Sequence, residues 1–518
     1  MRKPQKNLSR TQAAVTLSVS SPTGGLNARD SLAMMKETDA VSLDNFFCTP
    51  YDVKIRDGYS EYATGMTGTV NTVASYAPPS GNSELFAAAG ADIFDVTTGG
   101  AVGAAVVTGQ TSDKWQHTNF GTAGGNFLYM VNGADKPQLY NGTTWTAIDA
   151  ASTPAITGVT TTDLVHVCEA KSRLWFIERS SMKVWYLPVL SVGGAASAFD
   201  LSSQFNKGGY LMAMGTWSLD AGYGMDDYVV FVTSEGQVAV YKGTDPASAA
   251  TWGKIGVYDL GAPIGRRCLM KYAGDLTLIC RDGLAPLSKS LMSSRVNSME
   301  MLTDKIQHVM SEYTTFYGNN FGWEVALFPQ ENMLLVNVPT STTASYQLVM
   351  NTISGAWSRF IGWNAACFEL HESDLYFGGD GVVCKAWDTT ADNGENINFE
   401  AQQSFNYFGR GGQLKQVKML RPIISTDGTP SVLLGVNTDF DTTAPTGIPS
   451  FTANSAAIWD LATWDGGFTW GGELQIKRDW QTAFGLGYCI SAHMKGVIKN
   501  CRMHWAATDY LLQGGGVV

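Results

Sequence analysis

A chain of 518 residues holds material for two to four ordinary domains, or for one large repeat architecture with an appendage. With 44% apolar and only 16% charged residues it can fill a large core, which excludes wholesale disorder, and its 56 glycines point to many turns between short strands. A net charge of −11 is the wrong sign for gripping a nucleic-acid backbone, and the absence of any run of 18 apolar residues argues against a membrane-spanning helix.

Residues 1–23 read as a flexible basic arm carrying Arg2, Lys3, Lys6 and Arg10, without the apolar core of a secretory signal. Residues 24–63 form a leading segment, in which "RDSLAMMKETDA" is expected to make a short helix. From 64 to 398 the sequence repeats one device: a short apolar run, a turn, a second run. The turns fall at Gly90, Asn132-Gly133, Asn141-Gly142, Glu235-Gly236, Asp282-Gly283, Ser354-Gly355 and Gly378 to Gly381. Leading strands align on Leu85, Leu128, Leu174, Val230, Leu276, Leu334 and Leu375, in steps of 41–58 residues. Such a period of β-hairpins is what propeller blades produce, because one blade cannot cover both of its faces and radial packing does. The irregular steps also suit a β array that is not a propeller. "LTDKIQHVMSEY" breaks the rhythm, with Ile306, Val309, Met310 and Tyr313 on one helical face and Thr303 or Asp304 as N-cap. Residues 399–518 hold longer strands and close with "AIWDLATWDGGFTWGG". The expected fold is all-β: a β-propeller of about six to eight blades over 64–398. The two chain ends, 24–63 and 399–518, would meet in a β-rich platform, with one short helical insertion between blades.

The chemistry of the chain is sparse. Cysteines at 48, 168, 268, 280, 367, 384, 489 and 501 form no CxxC pair and read as small buried apolar residues. There is no GxSxG, HExxH, Walker A or strand-borne GxGxxG motif. His371, Glu372 and Asp374 cluster at one turn and read as a solvated loop. Asn437, Asp439 and Asp441 alternate like the start of a calcium loop, but Thr442 stands where the loop glycine belongs. Asn7 and Asn141 fit the glycosylation sequon by chance. Acidic pairs such as Asp226-Asp227 leave a glycosidase arrangement open. Trp145, Trp185, Trp357 and Trp387 lie in or beside strand runs and read as packing residues rather than sugar platforms. No metal, cofactor or catalytic residue is expected. Arg410, Lys415, Lys418 and Arg421 recur in one basic stretch, as a solvated strand face or a contact for an acidic partner.

Three segments carry a family resemblance: "LYMVNGADKPQLYNGTTW", "VMNTISGAWSRFIGWNAACFELHESDLYFGGDG" and "FNYFGRGGQLKQVKMLRPIISTDG". They resemble nozzle-type tail proteins of short-tailed bacteriophages, also described as tail tubular or packaged-DNA stabilisation proteins. The likeness runs from about Gly24 to the C-terminus. It implies a non-enzymatic virion protein, assembled in the bacterial cytoplasm as a hexameric ring below the portal and its adaptor. Such a ring neighbours tail fibre or spike proteins, continues the double-stranded DNA channel, retains the packaged genome and conducts it during ejection. On this reading Trp357 and Trp363 pack between blades, and Phe405, Tyr407, Phe408, Arg410, Lys415, Lys418 and Arg421 belong to the assembly platform. A ring of copies at −11 each should present DNA with an acidic or mixed wall and bind it weakly. The alternative is a propeller-fold virion protein that binds or degrades glycans.

Overall fold

The computed structural model describes residues 14–220, 225–292, 298–428, 430–447 and 474–514. Residues 1–13 of the expected basic arm, Asn7 among them, and "AIWDLATWDGGFTWGG" lie outside them; the rest of the arm is not a free tail, since Val15–Ser20 forms a strand paired with Met503–Gly514. The chain divides into two compact units. One comprises Met1–Gly58, Asn351–Phe360 and Thr389–Val518; the other comprises Tyr59–Met350 and Ile361–Asp388. The repeat region expected at 64–398 therefore begins at 59, ends at 388 and gives up 351–360.

The larger unit is a β-propeller. Among the described residues it has seven blades. Antiparallel four-stranded meanders such as Gln116–Thr122, Gly125–Val131, Gln138–Tyr140 and Trp145–Ala147 are typical. The first strand of each blade touches the first strand of the next. The series runs through residues 70–76, Gln116–Thr122, Leu164–Ala170, Leu211–Asp220, Leu269–Tyr272, Glu324–Phe328 and Cys367–His371, and returns to the strand Tyr59–Tyr76. That strand closes the ring. Residues 59–69 pair with Asp380–Ala386 in the last blade, and residues 70–76 pair with Glu84–Ala89 in the first. Closure leaves no open inner edge, which is how propellers manage unpaired strands.

The seven aligned leucine and valine positions all fall on second strands, not on leading ones, and each is at most 2% exposed. Second strands have both faces covered by neighbouring blades, so they read as continuous apolar runs. First strands face the axis and carry polar residues. Aromatic pairs fill the wedge between blades: Trp145 meets Phe86 edge-on at 4.9 Å, and Trp175 stacks on Trp252 at 5.7 Å. Turn chemistry follows the sequence. Gly236 at φ +79 could not carry a side chain, since a Cβ would lie 2.4 Å from the Leu260 carbonyl oxygen.

The smaller unit is built from the chain ends. One sheet joins Val15–Ser20, Phe46–Cys48 and Val53–Ile55 to Lys415–Thr426, Gln475–Lys477, Gln481–Gly487 and Met503–Gly514. A second group of paired strands includes Asp39–Asp44, Ile397–Gln403, Ile490–Ile498 and Ser431–Thr438. The two layers share a core. Phe46 packs edge-on against Phe399 at 5.4 Å, and the Tyr510 hydroxyl donates to Gln403 Oε1 at 2.8 Å while accepting from the Ala492 N–H at 3.0 Å. Arg56, with a fully buried side chain, pairs bidentately with Asp392 at 2.7 Å for both bonds and donates to Asn45 Oδ1 at 2.9 Å.

Three local expectations change. The helix lies at Gln307–Tyr317, preceded by a 3-10 turn at Asp304–Ile306, with no side-chain cap. The Thr303 hydroxyl is instead spent accepting the Leu284 N–H of the fifth blade at 3.0 Å. "RDSLAMMKETDA" forms turns, not a helix, because the Asn27 side chain accepts the N–H groups of Arg29 and Asp30 and also donates to Asp39. Trp357 is buried in the smaller unit, where its backbone crowds Gly25, and so does not pack between blades. Trp363 does lie in the propeller, stacked on Phe377 at 6.0 Å.

Candidate functional site in the propeller axis

The polar first strands bring the propeller's charged residues to its axis. Arg267 is the central one. Its Nη2 donates to Asn71 O at 3.0 Å, Thr72 Oγ1 at 2.9 Å and Trp115 O at 3.0 Å, while Nη1 faces Glu324 Oε2 at 3.3 Å. One guanidinium thus links the first, second, fifth and sixth blades. Burial holds the Glu324 carboxyl above its usual range, with Arg267 pulling the other way, and Glu324 also accepts the Phe368 N–H of the seventh blade at 3.1 Å. This layer fills the axis.

Cavities lie on either side of it. The far-side cavity, of about 480 Å³, is lined by His117, His166, Glu169, Lys271 and Glu369 among others. His117 lies 3.4 Å from Glu369, which also accepts the Ser75 N–H at 3.3 Å. His166 bonds the Met214 carbonyl at 3.0 Å, and burial pushes its pKa down to about 4. The start-side cavity, of about 450 Å³, lies where the first strands begin and is lined by Lys114, Tyr210, Arg266, Arg267, Asn319 and Phe321 with their neighbours. Its charged lining is cationic, whereas the far side mixes both signs.

The adjacent arginines in "PIGRRCLM" open an inner strand just ahead of an apolar run. That is the signal that could have located the axis, and sequence reasoning passed over it. The platform residues singled out from sequence lie elsewhere, in the smaller unit. Phe405 is buried against Phe440 at 5.2 Å, and Phe408, at φ +48, meets Tyr510 edge-on at 5.2 Å. Tyr407 is half-buried and its carbonyl accepts the Arg410 N–H at 3.0 Å. Lys415 is buried and donates to the carbonyls of Arg410, Gln413 and Tyr488 at 2.7–2.9 Å, and burial lowers its pKa. Arg421 pairs with Asp509 and lies 4.6 Å over the Trp480 ring. Arg410 is exposed and Lys418 half-buried. The structure thus gives Phe405, Lys415 and Arg421 internal partners.

The other sequence candidates serve turns and blade contacts. His371 Nδ1 bonds Ser75 Oγ at 2.9 Å, and Asp374 pairs with Lys385 at 2.7 Å. Asp439 accepts the Tyr488 N–H at 2.8 Å, Asp441 accepts the Thr443 N–H at 2.9 Å, and Asn437 donates to Thr443 O at 2.8 Å. Among the described residues no group of three or more His, Cys, Asp or Glu side chains is placed to hold a metal ion. Asn141 caps its own turn through the Thr143 and Thr144 N–H groups, and Asp227 accepts from Ser218 at 2.6 Å. The eight cysteines are all free thiols, seven of them buried.

No family model and no curated protein matches the chain. Among solved structures it is similar to YCF48 bound to a D1 peptide, with 12% identity over 68% of this chain and 99% of that one at a TM-score of 0.37. It is also similar to BBS1N in complex with ARL6DN, with 10% identity over 65% of this chain and 99% of that one at a TM-score of 0.39. A third likeness is to Chaetomium thermophilum Raptor, with 8% identity over 64% of this chain and 30% of that one at a TM-score of 0.36. The propeller rests on the closed ring of inner strands, not on these likenesses.

Proposed function

We propose that this chain is a structural component of the tail of a short-tailed bacteriophage, of the nozzle type. Copies assemble as a ring, hexameric as the resemblance implies, below the portal and its adaptor. The ring continues the DNA channel, retains the packaged genome and conducts it on ejection. The observation that carries the reading is an apolar row in the end-built unit that no described residue covers: Leu474, Ile476, Phe484 and Leu486 are 47%, 67%, 71% and 48% exposed. The strands bearing Ile476, Phe484 and Leu486 pair, among the described residues, with Lys415–Thr426 alone. An open edge lined with large apolar side chains calls for a partner.

The axis of a single propeller is closed by Arg267 and its partners, so DNA would pass between copies rather than through one chain. A glycosidase reading would need two carboxylates free to face a sugar across one cleft. At the axis, Glu324 is engaged by Arg267, and Glu369 by Ser75 and His117. The test is light scattering on the full chain and on a Phe484→Ser/Leu486→Ser variant. The wild type should run as a ring or concentration-dependent oligomer, and the variant as a folded monomer. Identical oligomers from both would place assembly on another surface. A wild-type monomer that binds or cleaves polysaccharide would replace this reading with the glycan one.

A further inference from the structure

The start-side cavity of the propeller points to a function independent of the tail reading. Its charged lining residues, among those described, are Lys114, Arg266 and Arg267, with no carboxylate, in a chain whose net charge is −11. Arg267 is matched by Glu324. Arg266 and Lys114 have no described carboxylate within ion-pair distance. Arg266 spends one N–H on the Met212 carbonyl at 3.0 Å, and burial lowers its pKa from the ordinary arginine value. Lys114 is exposed and lies 4.6 Å over the Phe321 ring, with Arg267 at 5.3 Å from the same ring. Asp113, the nearest carboxylate in sequence, is turned into the first blade, where it accepts from Asn71 at 3.0 Å and from the Gly90 N–H at 2.9 Å.

A half-buried guanidinium without a counter-charge is costly, and an oxyanion that accepts its remaining N–H groups relieves that cost. Phe321, one of the three aromatics that line the cavity with Tyr210 and Trp323, is already committed to two cations, and the cationic lining assigns recognition to charge and hydrogen bonding. Two uncompensated positive charges match a dianion better than a monoanion. We propose that this cavity binds a small phosphate-type oxyanion, either free or carried as a monoester on an organic body that fits within about 450 Å³. A cavity of that size excludes duplex DNA, so the site is distinct from any contact with a passing genome.

The experiment is isothermal titration of the full chain at low salt with inorganic phosphate, then with uridine monophosphate, then with acetate. Saturable binding of phosphate or of the monoester, stronger than that of acetate, is expected. Inorganic phosphate alone sufficing identifies a free ion, and binding only of the monoester identifies an organic phosphate. Arg266→Gln and Lys114→Gln should each weaken binding by about 10-fold or more. Lys271→Gln, on the far-side cavity, should leave it unchanged. Should Arg266→Gln fail to fold, the exposed Lys114 still decides the matter. Absence of saturable heat from both phosphates up to about 20 mM would overturn the proposal. So would acetate binding as tightly as phosphate, or equal weakening by Lys271→Gln.

Discussion

In the propeller most strands pair with neighbours a few residues away, as Gly125–Val131 does with Gln116–Thr122. In the end-built unit, Val15–Ser20 pairs with Met503–Gly514, and Asp39–Asp44 with Ile397–Gln403. The first arrangement closes short loops at low entropic cost, whereas the second brings together segments hundreds of residues apart. Among the described residues the propeller shares the second habit where the strand Tyr59–Tyr76 pairs with Asp380–Ala386. Blades can therefore form as local hairpins, while ring closure and the smaller unit wait for the C-terminal strands. In each unit an arginine ties distant segments: the half-buried Arg267 across four blades, and the buried Arg56 across Asn45 and Asp392.

The largest expected effects come from breaking those ties. Arg267→Met strands Glu324 in the propeller, and Arg56→Met strands Asp392 in the end-built unit. Each should cost about 3–5 kcal/mol, because removing one partner leaves a buried charge uncompensated. Proteolysis and hydrogen exchange should show each loss confined to its own unit. A single shared loss of protection from both variants would mean that the units unfold as one.

Apolar truncations sharpen the same contrast at somewhat smaller cost. Leu174→Ala, in the second strand of the third blade, should cost about 2–5 kcal/mol and mainly slow refolding, because its partners are local and can form early. Phe399→Ala removes the edge contact with Phe46 between segments far apart in sequence, at about 3–5 kcal/mol, and should mainly speed unfolding. Stopped-flow refolding and unfolding of both variants check this. Faster unfolding with unchanged refolding for Leu174→Ala, and slower refolding for Phe399→Ala, would reverse the proposed order.

This difference also explains what the sequence disclosed. Seven buried apolar runs with Gly turns repeat locally, so the blade rhythm was readable and Leu85 to Leu375 landed on equivalent strands. The inner strands stayed hidden because residues such as His117, Arg267, Glu324 and Glu369 look like loop residues until the ring turns them to one axis. Long-range register in the end-built unit has no local signature. The basic stretch around Lys415 and Arg421 looked like a solvated face, yet Lys415 is buried on three carbonyls and Arg421 is paired with Asp509.

The smallest effect is a pH response confined to the propeller. His166 titrates at about 4 in the fold against an ordinary value of 6.5, because burial disfavours its charged form. As pH falls below 6.5 the unfolded chain takes up this proton first. The contribution is therefore whole above pH 6.5 and is lost progressively toward pH 4, by at most about 3 kcal/mol. Urea denaturation at pH 7 and pH 4.5 should show a smaller acid loss for His166→Gln than for wild type. Parallel losses would assign the acid sensitivity to other groups.

On the proposed function the end-built unit joins copies of the chain around a passage, since Arg267 and its partners bridge the propeller's own axis. Electron micrographs of the purified full-length protein test it most directly. Closed rings with an open centre are expected, lost in the Phe484→Ser/Leu486→Ser variant. Single seven-bladed particles at every concentration, or rings that survive the loss of both side chains, would contradict it.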